Sequence, residues 1–173
     1  LQFPGLASDY AAMIRAALAL YEVTSNRDYV DAAIRWQRSL DRHHRDDTDG
    51  GYFLSADDAD ALILRPRATH DDAIPNHHGL IAENLIRLAV LDGNDSWREA
   101  ADRLLEATLP REANEAFGHL SLLNALDSRE AMHEIIVVGN DAAAEALLKA
   151  ALKLPFVMRV VARAGGAGTI SPG

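Results

Sequence analysis

Between Asp9 and Val23 the apolar residues fall at helical spacing, with Tyr10, Met13, Ile14, Ala17, Leu18 and Tyr21 on one stripe. The polar turn Thr24-Ser25-Asn26-Arg27 ends that stripe. A second stripe follows, Tyr29, Ala33, Trp36 and Leu40, with Val30 and Ile34 beside it. The pattern predicts a helix, a tight turn and an antiparallel helix. It then recurs. Shifted by 68 positions, Ala17–Leu40 lies on Leu85–Thr108 without a gap, matching Leu20 to Leu88, Asn26 to Asn94, Ala32-Ala33 to Ala100-Ala101 and Arg35 to Arg103. The identities coincide with the turn and with the apolar phase, so the chain reads as a repeated helical hairpin, with Asp95 or Ser96 capping the fourth helix. Such hairpins bury their faces only against neighbours.

The stretch from Arg45 to Asn76 breaks the helical pattern. Asp46-Asp47-Thr48-Asp49-Gly50-Gly51 reads as a turn, Tyr52-Phe53-Leu54 as a short strand and Leu62-Ile63-Leu64 as its partner, a β-hairpin insertion near 50–66. A fifth helix is expected over Glu112–Leu126, with Phe117, Leu120 and Leu123 facing inward. After Ser128 the texture changes. His133–Gly139 is a β-rich run ending in glycine, Asn140-Asp141 caps a helix from Ala142 to Lys153, and Pro155–Val161 is a return strand. The expected fold class is mainly α: a partial (α/α) helical-hairpin toroid with a small C-terminal strand–helix–strand unit. Its expected division is a hairpin segment over 1–127, the α/β unit over 128–163 and a flexible tail over 164–173.

Composition narrows the partners. The 173 residues are 49 % hydrophobic, enough for a real core, and the net charge of −9 disfavours nucleic acid and anionic membrane surfaces. No apolar run reaches the ~20 residues that span a bilayer. There is no cysteine, which excludes disulfides, thiolate metal sites and a cysteine nucleophile, and fits a cytoplasmic location. The start, Leu1-Gln2-Phe3-Pro4-Gly5, has neither an initiator Met nor a signal-peptide pattern, so the chain is expected to begin inside a longer reading frame or to be processed.

Asp9-Tyr10-Ala11, Gly50-Gly51-Tyr52-Phe53, Ala56-Asp57-Asp58, Arg65-Pro66, Asp72-Ala73-Ile74-Pro75, Glu83-Asn84-Leu85 and Ile135–Gly139 occur in an order that carries a family resemblance. The chain resembles the C-terminal half of the thioredoxin-domain-containing proteins related to spermatogenesis-associated protein 20. The resemblance implies a toroid of the six-hairpin glycosidase type, preceded in that family by a thioredoxin-like domain that is not in this sequence. Where the family has a segment close to Ser-Gly-Asn-Ser, this chain has Asn76-His77-His78-Gly79.

Sugar chemistry in such a toroid requires carboxylates or histidines around a concave site. The candidate catalytic residues are Asp9, Asp57, Asp58, Asp72 and His77, and the candidate substrate-binding residues are Tyr10, Tyr52, Arg65 and His78. Competing with this, Asp-Asp pairs form turns and Asp9 caps a helix. His70, Asp71, Asp72, His77 and His78 match no metal-ligand motif, and 46–58 departs from a calcium loop, so neither metal nor cofactor is expected. His43-His44 reads as positive charge at a helix C-terminus. The leading expectation is acid/base chemistry on a sugar-like ligand. The alternative is a non-catalytic helical scaffold that docks a thioredoxin-like domain or a partner. In either case exposed terminal hairpins predict association with a second copy or with missing segments.

Overall fold

The computed structural model describes residues 5–59, 64–109, 113–155 and 158–164. Helix α1 spans Ala7–Thr24, α2 Asp28–His44, α3 His77–Asp92 and α4 Ser96–Thr108. A 3₁₀ turn over Ala113–His119 leads into α5, Leu120–Ala131. Strand β1 (His133–Val138), helix α6 (Ala142–Ala151) and strand β2 (Arg159–Ala164) follow.

The repeat is visible in the turns. Helix α1 ends at Ser25 and α3 at Gly93, both left-handed, with φ 57° and 65°. Asn26 Oδ1 then accepts from Asp28 N at 3.0 Å, and Asn94 Oδ1 accepts from Ser96 N at 3.1 Å. Asp95 occupies the N-cap position of α4, one of the two expected, but its side chain makes no capping bond, and the Asn94 side chain bonds the first turn instead.

Helices α1, α3 and α5 form an inner layer, with α2 packed on α1 and α4 on α3. Helix α3 is the centre of the core: Ile81, Leu85, Ile86, Leu88 and Leu91 are each at most 1 % exposed. It approaches α5 so closely that a Cβ on Gly79 would lie 2.6 Å from the Ser121 carbonyl carbon, a distance only glycine tolerates.

The strands pair in parallel, His133 opposite Arg159 through Val138 opposite Ala164. Period-two alternation in β2 splits its side chains between two cores. Val160 and Ala162 join the helical core, and Val161 packs with Val137, Ala144 and Leu148 beneath α6. The Asp141 side chain caps α6 through Ala144 N at 2.8 Å, as read from the sequence.

Several details depart from the expected pattern. Met13 is 52 % exposed, because the buried stripe of α1 runs through Ala7, Ala11, Ile14, Leu18 and Tyr21. Phe117 and Leu120 are exposed, 89 % and 51 %, and Leu123 is half-buried. The 3₁₀ turn changes the helical phase there, so α5 buries Leu122, Ala125 and Ser128 instead. Helix α5 also continues past Ser128 to Ala131. In the 45–76 connection Tyr52 makes one isolated antiparallel bridge to Arg45, and Leu54 N bonds Pro66 O at 2.8 Å. Leu62 and Ile63 of the expected partner strand lie outside the described residues, as do Leu1–Pro4, Glu112, Phe156, Val157 and the tail beyond Ala164. Among the described residues no helix is long and apolar enough to cross a membrane.

Candidate functional site

The C-terminus of α2 and the N-termini of α1 and α3 come together beneath the 45–76 connection. Three buried histidines hold one short piece of that connection. His77 Nε2 donates to Tyr52 O at 3.0 Å. Tyr52 N donates to His78 Nε2 at 2.9 Å, while His78 Nδ1 donates to Ala68 O at 3.0 Å, which fixes the tautomer of that ring. His44 Nδ1 donates to Phe53 O at 3.2 Å, and Phe53 N returns to His44 O at 2.8 Å. Burial holds all three imidazoles below the ordinary histidine range, His78 down to about 3. They are neutral at pH 7. His44 therefore supplies no positive charge to the end of α2, contrary to the sequence reading; it is 0 % exposed and spent on the backbone.

Tyr52 also anchors through its side chain. Its hydroxyl donates to Asp41 Oδ1 at 2.6 Å, and Gln37 Nε2 donates to the same oxygen at 2.9 Å. Burial, and then the neighbouring Asp41 charge, push the phenol well above its usual value, so it remains a donor. This pair lines a cleft of about 370 Å³ between α2, the 46–51 turn and α4, with Arg45, Asp47 and Arg103 at its rim.

The other candidates lie elsewhere. Asp9 is exposed and accepts from Leu6 N at 2.9 Å, closing the first turn of α1. Tyr10 packs edge-on to His44, ring centroids 5.6 Å apart, and its hydroxyl accepts from Ser39 Oγ at 3.3 Å. Arg65 donates to the carbonyls of Ser55 and His43 at 2.7 and 3.0 Å and lies over the Phe53 ring at 4.3 Å. Asp72 is exposed, whereas its neighbour Asp71 is the anchored acid. Asp71 accepts from Asn76 N and Ser121 N, both at 2.8 Å, and from Ser121 Oγ. Burial raises the Asp71 carboxyl, but these bonds outweigh it and hold the group below its usual range. Asp57 and Asp58 are exposed beside His43, Nδ1 of which lies 2.9 Å from Asp57 Oδ1 and 3.8 Å from Asp58 Oδ2. The His43 hydrogen bond keeps Asp57 ionised.

The structure thus brings together Tyr10, Tyr52, His77 and His78, and separately Asp57, Asp58 and Arg65. Asp9 and Asp72 stand apart. Sequence reasoning missed Gln37, Asp41 and His44 as members of the Tyr52 cluster. Gln37 and His44 are each 0 % exposed, and the signal available was their place on the buried face of α2, at i and i+7.

These elements define a helical-hairpin repeat protein with a histidine-clamped connection and a small parallel strand unit. No family model matches the chain. It is 30 % identical to spermatogenesis-associated protein 20 of Rattus norvegicus over 166 residues, which is 94 % of this chain and 21 % of that protein. It is 30 % identical to the Homo sapiens protein of the same name over 138 residues, covering 79 % of this chain and 18 % of the relative. The chain belongs to a family related to spermatogenesis-associated protein 20, and it spans about a fifth of the length of these relatives.

Proposed function

We propose that this segment is a non-catalytic scaffold, a wall of a helical-hairpin toroid of the six-hairpin glycosidase type, against which a thioredoxin-like domain or another protein part docks. One observation carries the reading. The groups best suited to acid/base work, His44 at the end of α2 and His77 and His78 at the start of α3, are buried and bonded to the backbone of the connection, while Asp57 and Asp58 are exposed together beside His43 and Asp9 and Asp72 are exposed elsewhere.

A second reading, binding of a sugar-like polyol, is favoured by the Tyr52–Asp41 cleft of about 370 Å³, which the Asp41 carboxylate lines together with Arg45 and Arg103. Thermal-shift titration with monosaccharides, disaccharides and polyols separates the two. The scaffold reading expects no rise in melting temperature with any of them. A saturable rise lost in Asp41→Asn gives the cleft reading. A rise lost in the triple variant Asp57→Asn, Asp58→Asn, Asp72→Asn, with the basal melting temperature unchanged, restores acid/base chemistry at the exposed carboxylates.

A further inference from the structure

Two adjacent histidines end α2, and they are used differently. His44 is buried on the Phe53 backbone, whereas the His43 side chain is 31 % exposed and meets two carboxylates from the connection. His43 Nδ1 lies 2.9 Å from Asp57 Oδ1 and 3.8 Å from Asp58 Oδ2. One donor atom from each of the three residues lies within 4.8 Å of the other two. A single point therefore stands within about 2.8 Å of all three, and small rotations of the exposed carboxylates close the remaining gap to metal bonds of about 2.1 Å.

The backbone, not the carboxylates, holds this group together. His43 O accepts from Asp57 N at 2.9 Å and from Arg65 Nη2 at 3.0 Å. Arg65 bonds the His43 and Ser55 carbonyls and leaves both carboxylates to face His43. The donors are thus set side by side before any ligand arrives, which lowers the cost of gathering them.

Two further features favour a cation here. Asp57 is matched by its hydrogen bond to His43, but Asp58 makes no hydrogen bond among the described residues, and its ion-pair contact with His43 is long. The cluster also sits at the C-terminal end of α2, where unpaired helix carbonyls present partial negative charge. His44, neutral and buried, does not offset it.

We propose that His43, Asp57 and Asp58 bind a divalent transition-metal ion, zinc before manganese. One imidazole and two carboxylates match zinc or manganese better than calcium or magnesium, which favour all-oxygen sites. The ring offers its Nδ1 lone pair once the Nδ1 proton has shifted to Nε2. Three protein ligands leave the remaining positions to water. This is a different group from His70, Asp71, Asp72, His77 and His78, and nothing in its spacing, residues 14 and 15 apart, resembles a ligand motif. Once bound, the ion ties the 55–58 turn to the end of α2, a second anchor for the connection beside the histidine clamp. The proposal depends on neither the scaffold reading nor the polyol cleft.

The test is calorimetric titration of the 173-residue chain, free of any affinity tag and stripped with EDTA, with zinc, manganese and calcium chlorides at pH 7.5. One zinc ion per chain is expected, with Kd tighter than about 1 mM, manganese weaker and calcium weakest. His43→Ala and Asp58→Asn should each weaken zinc binding by about tenfold or more. Asp58→Asn should do so with the melting temperature of the metal-free chain unchanged, since Asp58 is exposed and otherwise unbonded. Glu106→Gln, at an exposed carboxylate on α4, should leave zinc binding as it was. Absence of zinc binding overturns the proposal. So does binding that survives both His43→Ala and Asp58→Asn, which would put the ion elsewhere on the acidic surface, and so does calcium binding as tight as zinc, which would give the imidazole no part.

Discussion

The paired hairpins and the connection between them are built on different principles. In α1 to α4 the backbone satisfies itself, and stability comes from a face of Ile, Leu and Ala set by helical spacing. In 45–76 the described backbone has almost no ladder of its own, and side chains of the hairpins provide the missing bonds. Tyr52 N and O are bonded by two adjacent histidines of α3, and Phe53 by the last residue of α2. A connection held this way takes its shape from the helices around it. The lesson is that a long irregular segment becomes rigid when helix ends lend it donors and acceptors.

The comparison is testable by perturbing each region in its own terms. The largest effect belongs to the helical core: Leu85→Ala, at a site 1 % exposed, should cost about 2–5 kcal/mol in urea unfolding. Acid should act mainly on the connection. His78 takes up protons at about 3 when folded and near 6.5 when unfolded, so the unfolded chain is protonated first and stability is full only above pH 6.5. It should fall as the pH drops from 6.5 toward 3, by about 2 kcal/mol at pH 5 from His78 alone. His44 and His77 add to the loss in the same direction. Urea melts at pH 7.5 and pH 5 check this, and a stability independent of pH across that range would remove the clamp from the account. A smaller effect compares the repeats themselves. Asn26→Ala and Asn94→Ala each remove the same cap and should each cost about 1 kcal/mol; unequal losses would mean that the turns only look alike. Smallest of all, Asp57→Asn and Asp58→Asn should leave the melting temperature in place, since both groups are exposed.

The two regions also differed in how well they could be read. Both hairpins, their turns and the parallel strand unit follow from apolar spacing, from the match of Asn26 to Asn94 and from Asp141, because each element answers to residues within a few positions of itself. The errors arose where a distant partner decides. Met13 belongs to the apolar pattern of α1 yet faces outward, since the core that α3 offers takes up the stripe through Ala11, Ile14, Leu18 and Tyr21. Phe117 was read in helical phase, but a 3₁₀ turn rotates the chain before α5 begins. At the candidate site the sequence names Tyr52, His77 and His78 for chemistry, and what it does not reveal is that the two histidines bond the Tyr52 backbone. Nothing local distinguishes a histidine that bonds a backbone 26 residues away from one that meets a substrate.

The glycine beside that clamp bears on the order in which the chain assembles. Gly51 has φ +78°, and a Cβ there would stand 2.9 Å from His78 Nε2 and 3.3 Å from Thr108 Cγ2. The turn thus sits in a seat made by α3 and α4, both of which follow it in the sequence. A ribosome delivers Gly51 well before His78 and Thr108 exist to receive it. Throughout that interval the connection has the first hairpin but not its seat, so proteases should find 45–76 open in nascent chains and closed once the second hairpin has emerged.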